Sequence, residues 1–112
     1  MASLNLCQFI GNAGKDAEMR YTATGTAQAQ FSLAVNSRRR NAAGEYEDVT
    51  EWVNVVLFGE RAENLSQYIS KGKQLYVSGR LTTRTWSDDK DVKHYRTELI
   101  ANDVQLLGEK AK

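Results

Sequence analysis

The sequence predicts an all-β domain folded as one small five-stranded Greek-key barrel, and three observations favour this fold class. Runs that alternate apolar and polar residues cover most of the 112 residues, whereas only one segment has helical spacing. The length suits a single domain with one core, over residues 1–108, followed by a short remnant at 109–112. The runs also follow an order of three strands, one helix and two strands, which is typical of a small closed barrel.

Five long strands and one short strand are predicted from the period-2 alternation. In the second long strand, Phe31, Leu33 and Val35 alternate with smaller or polar residues and give the strand one apolar face. The long strands are expected at Leu4 to Ile10, Ala27 to Asn36, Thr50 to Phe58, Gln74 to Trp86 and His94 to Leu107, and the short strand at Glu18 to Tyr21.

One helix is predicted, at Glu60 to Lys71, between the third and fourth long strands. Gly72 follows it and supplies a C-terminal stop. Its apolar residues recur at three- and four-residue spacing and form a single stripe: Ala62, Leu65, Tyr68 and Ile69. This element order indicates a barrel of the oligonucleotide-binding (OB) type, because a ferredoxin-like sandwich would need a second helix.

Two polar segments, Ser37 to Asp48 and Ser87 to Lys93, each separate two strands that are longer than barrel closure needs. We therefore expect both strand pairs to project beyond the barrel as hairpins, with these segments as the loops at their tips.

Aromatic and basic side chains occupy one face of the third and fourth long strands, opposite the aliphatic face. The residues expected on the buried side are Val53, Val55 and Leu57 in the third strand and Leu75, Val77, Gly79 and Leu81 in the fourth. The outward side then carries Trp52, Asn54, Val56 and Phe58 on the third strand and Tyr76, Ser78, Arg80, Thr82, Arg84 and Trp86 on the fourth.

An open sheet with interleaved rings and guanidinium groups suits a single nucleic-acid strand, because bases stack on rings and phosphates pair with cations. Aromatic residues in strands usually belong to a core, but a core already filled by valine and leucine has less need of them. We expect bases to stack on Trp52, Phe58 and Trp86, with Tyr76 as a weaker candidate. Phosphate contacts are expected from Arg38, Arg39, Arg40, Arg80 and Arg84, with Lys71, Lys73 and Arg96 as further candidates.

The composition limits the partners and the cellular compartment. A formal net charge of +1 means that a polyanion must be held by a local patch and not by bulk charge. The single cysteine, Cys7, lies in an apolar strand and is expected to be a small buried residue. There is no run of 18 apolar residues and no secretion leader, so we expect a cytoplasmic protein with no membrane partner.

The sequence offers no catalytic or metal-binding constellation, so neither an enzyme nor a cofactor is expected. His94 is the only histidine, and no nucleophile motif or phosphate-cradling glycine loop occurs. The acidic run Asp88 to Asp91 lacks the glycine turn and terminal glutamate of a calcium loop, which favours a solvated turn.

A resemblance to the bacterial single-stranded DNA-binding proteins covers nearly the whole chain. It implies an OB fold, usually as a homotetramer, that protects single strands in replication, recombination and repair and lies with the nucleoid. It also implies that bases stack on Trp52, Phe58 and Trp86, the same rings that period-2 alternation places on the outward side. The matching segments are Gly11 to Tyr21, Phe31 to Val35, Thr50 to Gly59, Lys71-Gly72 and Val77 to Trp86.

The sequence departs from that family in three places. Many members have another tryptophan where this chain has Arg38 to Arg40, so we expect phosphate contact in place of one stacking contact, and a stronger salt dependence. Glu60 stands where a lysine is frequent, and its charge would repel a phosphate. The family usually continues into an acidic tail that recruits replication and repair enzymes, and the absence of such a tail before Lys112 leaves this recruitment in doubt.

Two alternative functions stay open from the residues. The first is a short OB relative that acts in primosome assembly or RNA binding. The second is an oligomeric interaction module, a dimer or a tetramer, whose outward rings contact other subunits and bind no nucleic acid. Tryptophan emission separates the second from a DNA-binding protein, because rings buried in an interface would not respond to added DNA.

Overall fold

The computed structural model describes residues 2–108, so the predicted remnant at 109–112 lies outside the described residues. Six strands and one short helix follow one another along this part of the chain. They are β1 (Cys7–Ala13), β2 (Glu18–Tyr21), β3 (Ala27–Arg40), β4 (Tyr46–Phe58), α1 (Glu60–Leu65), a 3₁₀ turn (Ser66–Tyr68), β5 (Gln74–Ser87) and β6 (Lys93–Leu106).

Five of the strands close into a barrel. The sheet runs in the order β1-β5-β6-β4-β3, and β1 pairs with β3 to complete the circle, while β2 pairs only with β3. The β4–β6 pair is parallel and the other pairs are antiparallel. The predicted all-β class, five-stranded barrel and helix between its third and fourth strands are confirmed.

The core fills the barrel with aliphatic residues from alternate strand positions. The helix and the 3₁₀ turn add Ala62 and Ile69 to the same cluster. The largest side chains that the strands contribute to this cluster are Phe31, Leu33, Val55, Leu57, Leu75, Val77 and Leu99. Cys7 packs against this cluster but is only half-buried, in contrast to the prediction.

The first strand begins and ends three residues later than predicted, because Gly11 lies inside it. A Cβ on Gly11 would lie 2.3 Å from the backbone oxygen of Ala34 on β3. The missing side chain lets β1 approach β3 closely and close the barrel. Glycine therefore extends this strand, although it is more often found at the end of one.

The helix is shorter than predicted and ends at Leu65. After the 3₁₀ turn, Ile69 adopts an extended conformation, with φ −95° and ψ 91°. Its carbonyl oxygen accepts a hydrogen bond from the backbone N–H of Ala17 at 2.9 Å. A helix continued to Lys71 would break this contact, so the tertiary hydrogen bond ends the helix early.

Two hairpins project from the barrel, as predicted, and their strands reach farther than expected. The arginine hairpin (residues 36–50) continues the β3–β4 ladder to the pair Arg40–Tyr46, so most of the predicted loop Ser37 to Asp48 is strand. The tryptophan hairpin (residues 82–98) pairs β5 with β6 as far as Ser87–Lys93, and its loop agrees with the prediction. Both hairpins leave side chains on each face exposed to solvent.

Three residues have an exposure opposite to the one predicted from alternation. Val56 is buried on the outward side because its strand lies between β3 and β6, where cross-strand neighbours cover it. Ser78 is buried at a register shift in the β5–β6 ladder. Leu81 is 39% exposed because β5 leaves the barrel beyond Gly79, and the core does not continue beneath it.

The helices of residues 2–108 are all too short or too polar to cross a bilayer.

Candidate nucleic-acid interface

The outward side chains of β4, β6 and β5 form one continuous surface, here called the outer face. Strand register sets its rows: Val56, Ile100 and Arg80 lie side by side, and the next row contains Asn54, Glu98 and Thr82. The β5–β6 ladder then adds the cross-strand pairs Arg84–Arg96 and Trp86–His94. Because β4 and β6 are parallel, Trp52 lies at the same end of the outer face as these pairs.

Trp52 is 59% exposed, and its indole leans over β3 toward the end of β1. Its cross-strand partner on β3 is the small residue Ala34. A Cβ on Gly14 would lie 2.5 Å from Cζ3 of the indole, so the ring rests against the glycine backbone. A small residue on β3 and a glycine just after β1 thus make room for a ring that lies across the sheet.

Trp86 is 44% exposed, and it has two partners on the tryptophan hairpin. The His94 imidazole stacks with the indole at 5.5 Å between ring centroids and 20° between planes. The Arg84 guanidinium carbon lies over the indole, 5.5 Å from its centroid. Both distances lie in the range of favourable ring–ring and cation–π contacts, so the ring has a defined orientation.

Asp88 connects this ring pair to the hairpin turn. Its Oδ1 accepts hydrogen bonds from the backbone N–H groups of Lys90 and Val92 at 2.8 and 3.0 Å. Its Oδ2 accepts from Nε2 of His94 at 2.8 Å. The His94 contact, followed by the backbone amides, lowers the pKa of the Asp88 carboxyl below its ordinary value.

Two arginines of the outer face, Arg84 and Arg96, share one acidic partner. Oε2 of Glu98 lies 3.7 Å from Nη2 of Arg84 and 3.5 Å from Nε of Arg96. Glu98 is 5% exposed, whereas the side chains of Arg84 and Arg96 are 53% and 40% exposed. A buried carboxylate therefore lies beneath two cations that reach solvent.

Phe58 and Arg80 lie at the opposite end of the outer face. Phe58 is 43% exposed and precedes α1, six residues along β4 from Trp52. This separation corresponds to about 20 Å of strand. The outer face can therefore offer a ring at each end and cations between them.

The arginine hairpin carries its cations in cross-strand ion pairs. Nε of Arg38 lies 3.1 Å from Oδ1 of Asp48, and Nε of Arg39 lies 3.2 Å from Oε1 of Glu47. Nε of Arg40 donates to the carbonyl oxygen of Gly44 at 3.2 Å. These ion pairs are exposed to solvent, where such pairs contribute little to stability.

Three predicted residues lie away from the Trp86 end of the outer face. Tyr76 is half-buried near the start of β5, where its hydroxyl oxygen accepts from Nε2 of Gln8 at 2.9 Å. Ten residues of strand, about 33 Å, separate it from Trp86. Lys71 and Lys73 belong to the turn before β5, which is hydrogen-bonded to Ala13 at the end of β1.

His94, Asp88 and Glu98 belong to this site although the sequence analysis did not assign them to it. For His94 a signal was available, because equal spacing about the hairpin turn places it opposite Trp86. Glu98 had no such signal, since an acidic residue is not expected on a surface for polyanions. The Asp88 to Asp91 run forms the predicted turn, and no group of His, Cys, Asp and Glu within residues 2–108 is arranged to hold a metal ion.

Comparison with known proteins identifies the family. Residues 4–107 match the model of the single-strand binding protein family. "Single-stranded DNA-binding protein 1" of Chlorobaculum tepidum is 42% identical over 108 residues, which are 96% of this chain and 67% of that protein. The protein of the same name from Xylella fastidiosa is 42% identical over 111 residues, 98% of this chain and 82% of that protein.

Solved structures agree with this result. A Plasmodium falciparum SSB in complex with ssDNA has a TM-score of 0.87 at 30% identity, over 96% of this chain and 98% of that chain. A deletion mutant of the single-stranded DNA-binding protein from Thermus aquaticus has a TM-score of 0.82 at 30% identity, over 94% of this chain and 51% of that chain. The predicted OB barrel and the predicted family are both confirmed, and this chain belongs to the single-strand binding protein family.

Proposed function

We propose that this protein binds single-stranded DNA with little sequence preference and protects it during replication, recombination and repair. The observation that carries the proposal is the outer face, where two exposed indoles and two exposed guanidinium groups lie at one end of an open sheet. The family and the DNA complex of a structural neighbour support the same function.

Bases stack on Trp52, Trp86 and Phe58 in this proposal. Each stacked base contributes about 1–3 kcal/mol, and every base has a face that can stack, so the contacts tolerate any sequence. The half-buried ring of Tyr76 serves as a secondary contact at the far end of β5.

Cations along the outer face and the arginine hairpin contact phosphates. Arg84 and Arg96 contact the phosphates between the two indoles, and Arg80 contacts those on the way to Phe58. The arginine hairpin extends the path with Arg38, Arg39 and Arg40, and Lys71 and Lys73 contact phosphates at the turn before β5. With a net charge of +1, the protein relies on this local arrangement, so binding weakens as salt rises.

Duplex DNA binds much more weakly in this proposal. Stacking on a protein ring requires a base whose face is free, and bases in a duplex are stacked on each other. The outer face is also a sheet that presents no element shaped for a duplex groove. The role is binding and not catalysis, in the cytoplasm beside the nucleoid.

Copies of the chain associate in this proposal, as a homotetramer or a dimer. The segment at β1 carries exposed apolar side chains, with Leu4 88%, Leu6 56% and Ile10 56% exposed. Such side chains favour burial against another subunit.

A tryptophan-fluorescence titration with oligo-dT tests the proposal, with the matched duplex and two salt concentrations as controls. We expect strong quenching by oligo-dT, reduced at high salt, and little response to the duplex. Equal affinity for duplex and single strand would contradict the proposal.

Competition with RNA of matched sequence distinguishes the first alternative. Preferred binding of RNA would favour the RNA-binding function. No quenching by either nucleic acid at low salt would favour the subunit-contact function, in which the rings are already buried.

A further inference from the structure

Glu98 is a buried carboxylate in the middle of a surface that is proposed to bind a polyanion. It lies in the row between Asn54 of β4 and Thr82 of β5, and it is 5% exposed. Coulomb repulsion alone would make a negative charge at this place weaken the binding of DNA. A buried charge is also costly for the fold unless it has partners.

Arg84 and Arg96 lie near Oε2 of Glu98 but form no hydrogen bond of ordinary length with it. The distances of 3.7 and 3.5 Å to Arg84 and Arg96 are longer than the 2.7–2.9 Å that is usual for charge-assisted hydrogen bonds. Among the described residues, neither Oε2 of Glu98 nor Nε of Arg96 has a hydrogen-bond partner. Both of these unpartnered atoms are buried, whereas the side chains of Arg84 and Arg96 remain 53% and 40% exposed, so the carboxylate attracts both cations from beneath while other parts of their side chains reach solvent.

Arg84 and Arg96 would repel each other without this carboxylate. They are directly opposite on neighbouring strands, where like charges are unfavourable. Arg84 also lies over the Trp86 indole. A shift of Arg84 away from Arg96 would consequently disturb the cation and the ring together.

We propose that Glu98 is a positioning residue of the interface, which holds Arg84 and Arg96 side by side for a phosphate and keeps Arg84 over Trp86. This inference rests on the proposed function, because it assigns a role within the same DNA-binding surface. It reverses the simple electrostatic expectation, since removal of a negative charge should weaken the binding of a polyanion.

The test compares two variants with the same change of charge. Glu98→Gln removes the buried carboxylate at nearly constant shape, and Glu60→Gln removes an exposed carboxylate at the first residue of α1. Affinity for a labelled dT oligomer is measured by fluorescence anisotropy at several salt concentrations. We expect Glu98→Gln to bind about three- to tenfold more weakly, a coupling usual within one ion-pair network, and Glu60→Gln to bind equally or more tightly. Equal or tighter binding by Glu98→Gln would overturn the proposal.

A second comparison separates positioning from a general effect on the fold. In a background of Arg84→Gln and Arg96→Gln, Glu98 has no cation left to position, so Glu98→Gln should no longer weaken binding. The same weakening in that background would overturn the proposal. Thermal melting of each variant shows whether its fold is retained.

A measurement on the unaltered protein keeps the inference testable if Glu98→Gln fails to fold. Relaxation of the arginine Nε–H groups by NMR, without DNA, should show Arg84 and Arg96 more ordered than the exposed Arg80, for which no partner occurs among the described residues. Equal mobility of the three would overturn the positioning role. If the unaltered protein does not bind oligo-dT, the proposed function fails, whereas binding with no loss in Glu98→Gln refutes only the role of Glu98.

Discussion

The two projecting hairpins both carry arginines, but they hold them in different ways. In the arginine hairpin, Arg38 and Arg39 face acidic partners across the strands, and these partners are largely exposed. In the tryptophan hairpin, Arg84 has a partner that is buried, and it also lies over an indole. The first arrangement leaves long side chains mobile in water, and the second limits their freedom before any ligand arrives.

Because of this difference, we do not expect the number of arginines in a hairpin to predict its contribution to DNA affinity. Residues 38–48 contain three arginines, and Glu45, Glu47 and Asp48 balance their formal charge. Exposed ion pairs contribute little and are screened by salt. Ordered side chains lose less entropy on binding, so we expect the tryptophan hairpin to supply more of the affinity.

The largest expected effect follows from Trp86→Ala, which removes the ring of the tryptophan hairpin. Loss of one stacked base costs about 1–3 kcal/mol, so the affinity for oligo-dT should fall about 5- to 150-fold in an anisotropy titration. Trp86→Phe is the matched control and should retain most of the affinity. A loss smaller than twofold in Trp86→Ala would show that this hairpin does not dominate.

A smaller effect is expected from Asp88→Asn. The amide oxygen of asparagine can still accept from the turn N–H groups, but the charge that holds His94 is lost. The stacking of His94 on the Trp86 indole is then less ordered. Binding should weaken about two- to fivefold, which lies within the free energy that a stacked ring pair usually contributes.

The neighbouring change Asp89→Asn is the control for this prediction, since it alters the charge equally on the same exposed turn. It should leave the affinity unchanged or slightly raised. Equal effects of Asp88→Asn and Asp89→Asn would mean that only the charge of the turn matters and that His94 is not held by Asp88.

Single changes in the arginine hairpin should have smaller effects. We expect Arg38→Gln and Arg39→Gln each to weaken binding about twofold, because each side chain must exchange an exposed ion pair for a phosphate. The slope of log affinity against log salt should fall by about 0.7 for each phosphate that the variant no longer neutralises.

Arg20→Gln on β2 is the control for that series, because Arg20 is also an exposed arginine beside an acidic residue. It should change neither the affinity nor the slope. Losses in Arg38→Gln or Arg39→Gln as large as that of Trp86→Ala would reverse the ranking of the two hairpins.

Titration of Asp88 should have no effect near neutral pH, and the stabilising contact of its carboxylate should be lost only at acid pH. The pKa of this carboxyl is lowered in the folded protein, so its stabilising contact is complete above the pKa of the unfolded chain and disappears as the pH falls through the folded value. The titration of the Asp88 carboxyl, followed by carbon-13 NMR, should have its midpoint below about pH 4, the ordinary range of aspartate. A midpoint above that range would contradict this assignment.

The alternation of apolar and polar residues predicts exposure correctly where a strand has one face in solvent and the other in the core. It located Trp52, Phe58 and Trp86 on the outward side, and all three are exposed. It was wrong at Val56 and Leu81, because exposure at these positions depends on what covers the strand and not on its pleat. The helix length was wrong for a similar reason, since a hydrogen bond between Ala17 and Ile69 ends it.

The all-β class, the order of the elements, the two hairpins and the exposed rings of the outer face could be predicted from the sequence. These features follow from period-2 patterning and local turn chemistry, which act over a few residues. Hairpin spacing indicates that His94 lies opposite Trp86, but the stacking of the two rings, the support of Trp52 by Gly14 and the position of Glu98 beneath two arginines depend on the tertiary structure. Strand register and barrel closure, which depend on the whole chain, produce these contacts.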